Sequence, residues 1–245
     1  SMAGTSIEQA RRALLQGLDR LAAGDRFNVV AFNHGVTPFR PEPLPATAEN
    51  LAAGRRFVSG LQADGGTEML PALRLTLAQP RGPEHLRYVV LLTDGCLGNE
   101  EQIFATLRSD LGPARLFTVA IGSAPNQHLA ANMAQFGRGA FTSIVDGAEI
   151  EKQMGRLLDQ VESPALSDLA LRFEGLTATD VYPERLPDLF LGQPLLVFGR
   201  LSSGAAGRVV VEGRGARGPF RQELPLELGQ AAFHPGVTRL WARAR

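Results

Sequence analysis

Residues 86–95, LRYVVLLTDG, decide the fold. The apolar run from Tyr88 to Leu92 is unbroken and ends abruptly in Thr93 and Asp94. A short continuous apolar run is typical of a strand buried on both faces, as in parallel sheets that helices cover. The sequence therefore predicts a central parallel strand that ends in a carboxylate.

Helical and strand patterns alternate on both sides of this stretch, over residues 5–162. This alternation predicts an α/β fold with a doubly wound, mostly parallel sheet. The expected strands are 26–32, with a hairpin partner at 35–39, then 114–122 and 139–144. The expected helices begin near 5, 48, 68, 99 and 146, and a further helix is expected through Leu129, Met133 and Phe136. We expect side-chain caps from Thr5 with Glu8, Asn99 with Gln102, and Asp146 with Glu149.

The pattern changes at residue 163. Helical periodicity stops, and short strands separated by Gly and Pro are expected at 166–173, 194–201, 207–213, 220–226 and 237–244. We therefore predict two domains, an α/β domain at 1–162 and an antiparallel β-rich segment at 163–245. Five strands are few for a sandwich, so we expect this segment to share its core with a region upstream of the chain.

Composition limits the classes of function. Twenty-five basic and 25 acidic residues balance, which gives no reason to expect binding to nucleic acid or to a membrane surface. No apolar run approaches the roughly 20 residues that span a bilayer. The single cysteine, Cys96, excludes an internal disulfide and a thiolate cage for a metal.

Three oxygen-bearing residues converge on the edge where the parallel strands end. Ser1 precedes the first helix, Thr67 precedes the third, and Asp94 ends the central strand. Ligands of doubly wound sheets bind at this edge. Hydroxyl and carboxylate oxygens suit a hard cation, Mg²⁺ above others.

These residues resemble the metal-ion-dependent adhesion site of von Willebrand factor A domains. The resemblance aligns the initial SM with the end of a DxSxS motif, Thr67 in DGGTEM with the motif threonine, and Asp94 in LLTDG with the second aspartate. The stretches GDRFNVVAFN and FTVAIGSAPN are most similar to bacterial relatives of inter-alpha-trypsin inhibitor heavy chains. The resemblance implies a Mg²⁺ site, a partner protein that offers an Asp or Glu carboxylate, and a location outside the cytoplasm or on the cell surface.

The resemblance also implies that part of the domain is absent. The first strand of the family, its Asp and its first Ser would precede Ser1, so we expect weak or no metal binding by this chain. Ser1 before Met2 is also what a cleaved expression tag leaves. The absent strand would lie between 26–32 and 86–92, so we expect either that these strands close up or that a second copy fills the gap in a homodimer.

A non-catalytic binding module is therefore the first functional hypothesis. The alternatives are a metal-dependent α/β hydrolase and a structural scaffold that uses no metal. The sequence lacks a G-x-x-x-x-G-K-[ST] loop, a G-x-G-x-x-G after a strand, and a recognisable Ser, His and Asp triad. The hypothesis predicts that variation in the loops after Gly65, Gly95 and Gly122 sets the choice of partner.

Overall fold

A computed structural model describes residues 4–82, 85–94, 99–122, 126–162, 166–190, 194–203, 206–215 and 218–227. The chain divides into two compact units, residues 1–161 and 162–245. No helix in these described ranges is long and apolar enough to cross a membrane.

The first unit alternates helices and strands, as the sequence pattern predicts. Its elements are α1 (Thr5–Asp19), β1 (Arg26–Phe27), β2 (Val30–Phe32), β3 (Val36–Pro38), β4 (Leu44–Pro45), α2 (Ala48–Ser59), α3 (Met69–Ala78), β5 (Tyr88–Thr93), α4 (Glu100–Asp110), β6 (Arg115–Ile121), α5 (Gln127–Phe136), β7 (Arg138–Ile144), a 3₁₀ turn (Gly147–Glu149) and α6 (Ile150–Glu162).

A parallel sheet in the order β5-β6-β7 forms the centre of this unit. All seven residues of β6 are buried, so both faces of this strand are covered. Helices α3, α4 and α5 supply Met69, Leu107 and Met133 to one apolar cluster with Val89 and Leu91 of β5. The predicted α/β class with a parallel sheet is therefore confirmed.

The expectation that β5 is buried on both faces is wrong. Its burial alternates: Val89, Leu91 and Thr93 are buried, while the residues between them are only half-buried. The cluster with α3 and α4 covers one face of β5, whereas its other face is covered only in part. The strand with two fully buried faces is its neighbour, β6.

The expected strand 26–32 is broken in two. β1 pairs with β4, and β2 pairs with β3. The break is at Asn28, whose Oδ1 accepts hydrogen bonds from the backbone N of Val29 at 2.9 Å and of Arg40 at 3.2 Å. Its Nδ2 donates to the Arg40 carbonyl at 2.7 Å. Hydrogen bonds of the Asn28 side chain therefore replace backbone hydrogen bonds between strands at this point.

Two of the three expected helix caps are wrong. Gly4, at φ 74°, is the N-cap of α1, and no side chain caps that helix. Asn99 does occupy the cap position of α4, but its left-handed backbone (φ 64°) leaves its side chain without a capping hydrogen bond. Asp146 does cap, accepting from the backbone N of Ala148 at 3.0 Å, but the element that it caps is the 3₁₀ turn Gly147–Glu149 that precedes α6.

The strands β2 and β5 do not close up on each other. Among the described residues β2 pairs only with β3, and β5 only with β6. This result leaves an edge of β5 that no described strand of the chain covers. The alternative, a strand from a second copy in a homodimer, stays a prediction.

The second unit is antiparallel β structure. Its strands are β8 (Ser167–Glu174), β9 (Thr177–Tyr182), β10 (Phe198–Ser203), β11 (Ala206–Gly215) and β12 (Gly218–Glu227), paired as β12-β11-β8 and β10-β9. The sequence patterns do not predict β9, and the expected strand 237–244 lies outside the described residues. A shared core with an upstream region stays a prediction.

A network of ion pairs covers one face of the β12-β11-β8 sheet. Arg208 bonds Glu174 at 2.7 Å and Glu223 at 3.0 Å, and Arg221 bonds Glu223 at 2.7 Å. The hydrogen bond from Arg221 and the charge of Arg208 hold the pKa of the Glu223 carboxyl below its usual value. Beneath this network Val210 is fully buried.

Candidate metal-binding edge of the parallel sheet

Asp94 lies at the carboxyl end of the parallel sheet. It follows Thr93, the last residue of β5, and is half-buried. Since β5, β6 and β7 are parallel, their carboxyl ends lie along one edge. The loop residues 95–98, which include Gly95 and Cys96, lie outside the described residues, as do residues 123–125 after Gly122.

Thr67 directly precedes the N-cap residue of α3. That N-cap is Glu68, whose side chain makes no capping hydrogen bond. The Thr67 carbonyl accepts a hydrogen bond from the backbone N of Met69 at 2.9 Å. Thr67 therefore lies one position before the N-cap that a purely structural role would give it.

The β2–β3 turn holds the loop that carries Thr67. The backbone N of Glu68 donates to the Asn33 carbonyl at 2.8 Å. Gly65 has φ +77°, and a Cβ on this residue would lie 2.5 Å from Nδ1 of His34. Only glycine fits this backbone conformation and this close approach without strain, so the turn fixes the position of the loop.

The first helix begins near the same edge. A Cβ on Gly122, which follows β6, would lie 3.2 Å from Oγ of Ser6, in the first turn of α1. The first turn of α1 therefore lies at the carboxyl end of β6. Ser1 itself, the third candidate ligand, lies outside the described residues.

One apolar cluster anchors both the residues after Thr67 and the residues before Asp94. Met69, two residues after Thr67, is 2% exposed and belongs to the same apolar cluster as Leu91, three residues before Asp94. Phe32, at the end of β2, packs against this cluster. That Thr67 and Asp94, two of the three predicted ligands, share one edge is consistent with this packing and stays a prediction.

Thr67 and Asp94 are donors of the kind that a hard cation prefers. Thr67 supplies a hydroxyl and Asp94 one carboxylate, and Mg²⁺ is normally held by one or two carboxylates together with further oxygens. In the part of the chain that the structure describes, no group of three His, Cys, Asp or Glu residues could hold a metal ion. The expectation of weak or no metal binding stays a prediction.

Sequence reasoning missed two residues at this edge, Ser6 and His34. Ser6 lies against Gly122, and His34 lies against Gly65. The stretch NHG at 33–35 predicts a hairpin turn, and nothing in it indicates contact with a glycine about thirty residues away. Such a contact depends on tertiary packing.

The fold and this edge define a class: a helix-covered parallel sheet with oxygen donors where its strands end, as in α/β ligand-binding domains. The sequence profile of the von Willebrand factor type A domain matches residues 1–142, more than half of the chain. The chain belongs to the von Willebrand factor type A domain family.

Two curated relatives illustrate the relationship. Human inter-alpha-trypsin inhibitor heavy chain H4 is 27% identical over 266 residues, covering 99% of this chain and 29% of the relative. A von Willebrand factor A domain-containing protein of Dictyostelium discoideum is 27% identical over 214 residues, covering 86% of this chain and 23% of the relative. The chain thus spans about a quarter of the length of these relatives.

Solved structures share the fold. A von Willebrand factor type A protein from Catenulispora acidiphila has a TM-score of 0.68 and 23% identity, covering 90% of this chain and 61% of that chain. Proximal thread matrix protein 1 from the mussel byssus has a TM-score of 0.51 and 13% identity, covering 69% of this chain and 45% of that chain. The description of the mussel structure records zinc in its MIDAS motif, the metal-ion-dependent adhesion site.

Substitution of Gly65 tests whether the Thr67 loop is fixed by its backbone. We expect Gly65→Ala to lower the free energy of unfolding by about 1–2 kcal/mol, because a left-handed backbone is costly for alanine. The melting temperature should fall by about 2–8 °C. Gly24→Ala is the matched control, since nothing lies within 4 Å of its added Cβ. Equal melting temperatures for the two variants would contradict this account.

Metal titration tests whether the donor set is incomplete. With a dissociation constant above about 1 mM, a site gains at most about 0.4 kcal/mol from ~1 mM Mg²⁺. We therefore expect a thermal shift of no more than about 1 °C relative to excess chelator. A larger shift that disappears in Asp94→Asn would show that the site binds metal tightly, against this prediction.

Proposed function

We propose that this chain is a non-catalytic protein-binding module whose binding surface is the carboxyl edge of the β5-β6-β7 sheet. The observation that carries the proposal is that Asp94 directly follows β5, while the backbone-held Thr67 loop leads into α3, whose Met69 packs in the same apolar cluster as Leu91 of β5. The family relationship supports it, since von Willebrand factor A domains are generally interaction modules.

The proposed cofactor is Mg²⁺, with Asp94 and Thr67 as two of its oxygen donors. Further oxygens have to come from residues outside the described ones, Ser1 among them, or from water. An Asp or Glu carboxylate of a partner protein is the proposed last donor, because it supplies the negative charge that this set lacks. The zinc-occupied motif of the mussel protein is a related case of a metal in this fold.

The loops around Thr67 and Asp94 are the proposed determinants of partner choice. Loops vary more than the strands that position them, and they present the side chains that a partner meets. His34 lies against the Thr67 loop and is exposed, so it is placed to contact such a partner. Replacing His34 would therefore alter partner preference rather than the fold.

Neither alternative function gains support from a specific observation. A metal-dependent hydrolase and a metal-free scaffold stay untested.

The proposed location is outside the cytoplasm or at the cell surface. The resemblance to inter-alpha-trypsin inhibitor heavy chains supports this location, and the bacterial origin that the resemblance implies stays a prediction.

A pair of small probes tests the proposal on the chain itself. Acetyl-Asp-amide carries the carboxylate, and acetyl-Asn-amide is its neutral counterpart. In excess Mg²⁺ we expect acetyl-Asp-amide to shift the backbone amide resonances of residues 67–69 and 93–94 in ¹⁵N NMR spectra. We expect binding to be at least about tenfold weaker, or about 1.4 kcal/mol, with acetyl-Asn-amide or with chelator.

Asp94→Asn should abolish these shifts. The matched control is Asp110→Asn, an exposed aspartate at the C-terminal end of α4, away from the sheet edge. Shifts that persist in Asp94→Asn, or that occur equally in chelator, would contradict the proposal that a metal ion at this edge assists binding.

A further inference from the structure

A second cleft lies between the first turn of α1 and the turn that follows β7. Its volume is about 370 Å³, within the range of roughly 300–1,000 Å³ that is common for small-ligand sites. Glu8, Gln9 and Arg12 line it on the α1 side, and Val145 and Asp146 line it on the β7 side. None of these residues belongs to the candidate metal site.

Gln9 lines this cleft and carries a hydrogen-bond acceptor without a partner among the described residues. The residue is 8% exposed, and its Oε1 is buried without a hydrogen-bond partner among the described residues. The Nε2 of the same amide faces Gly147, 3.3 Å from the position of an added Cβ. A buried acceptor left unsatisfied is destabilising, so the cleft favours a ligand that donates a hydrogen bond to Oε1.

The charges around the cleft also favour a ligand that is positively charged and donates hydrogen bonds. Glu8 and Asp146 are exposed carboxylates on opposite walls. The Oδ1 of Asp146 already accepts from the backbone N of Ala148 at 3.0 Å, so a ligand would meet its Oδ2. The one cation of the cleft lining, Arg12, is already engaged: it pairs with Glu151 and donates to the Gly147 carbonyl at 3.2 Å. Negative charge is therefore in excess where a ligand would enter.

The start of α1 is the one feature that points to an anion instead. No side chain caps the helix, and its first N–H groups carry partial positive charge. Glu8 in the first turn offsets this charge. An anion would also meet two carboxylates and leave the Gln9 oxygen unsatisfied, so the balance favours a cation.

We propose that this cleft binds the guanidinium group of an arginine side chain of a partner protein. A guanidinium has five N–H donors in a planar fork, so it can serve the Gln9 oxygen and the carboxylates of Glu8 and Asp146 together. Val145 is 54% exposed at the rim and offers an apolar surface to the methylene stem of the arginine. This contact lies beyond the proposed metal-assisted function and does not depend on it.

Acetyl-Arg-amide and acetyl-citrulline-amide test the proposal, because citrulline keeps the shape of arginine and lacks its charge. We expect acetyl-Arg-amide to shift the side-chain amide resonances of Gln9 and the backbone amides of residues 145–148 in ¹⁵N NMR spectra. Citrulline should bind at least tenfold more weakly. Both titrations use excess chelator, so their outcome is independent of the metal site.

Two variants and a control distinguish binding in the cleft from a general effect of surface charge. Glu8→Gln changes an exposed residue, and Gln9→Met removes the buried amide; each should weaken arginine binding at least threefold. Glu149→Gln, an exposed carboxylate beside the cleft and outside its lining, should leave binding unchanged. Equal binding of citrulline, no shift with arginine, or shifts with acetate instead would overturn the proposal.

Discussion

Burial of β6 on both faces is the constraint on which the first unit depends. All seven of its residues are buried, and its Thr118 hydroxyl donates to the Ala130 carbonyl of α5 at 2.6 Å. A strand without access to water must pair its backbone groups, and β5 and β7 do so in parallel. Parallel pairing requires helical crossovers that cover the faces, and it gathers the strand ends at one edge.

The candidate site at that edge is shaped by backbone contacts. The hydrogen bond from Glu68 to Asn33 and the close approach of Gly65 to His34 hold the Thr67 loop in place. Its position is thus set before any ligand arrives, which lowers the ordering cost of binding. The proposed donor set has a single carboxylate, that of Asp94. The affinity of the proposed site for a metal ion therefore depends on the carboxylate that a partner supplies.

The sequence predicts the parts of this fold that follow from local pattern. A continuous apolar run locates β5, and strand patterns at 114–122 and 139–144 locate β6 and β7. The polar end of the first run locates Asp94, and the position just before a helix locates Thr67. It does not predict the break at Asn28, where side-chain hydrogen bonds compete with the ladder, or the Gly4 cap. The unmet Gln9 oxygen depends on β7 and α1 meeting in space, which no local pattern specifies.

Paramagnetic Mn²⁺ tests the central claim, that Thr67 and Asp94 form one metal-binding edge, most directly. Its effect on nearby nuclei is visible even at low occupancy, so weak binding does not hide the site. The account predicts that trace Mn²⁺ broadens the amide resonances of residues 66–68 and 93–94 first, and that excess Mg²⁺ reverses the effect. Broadening that begins at other carboxylates and spares both segments would contradict it.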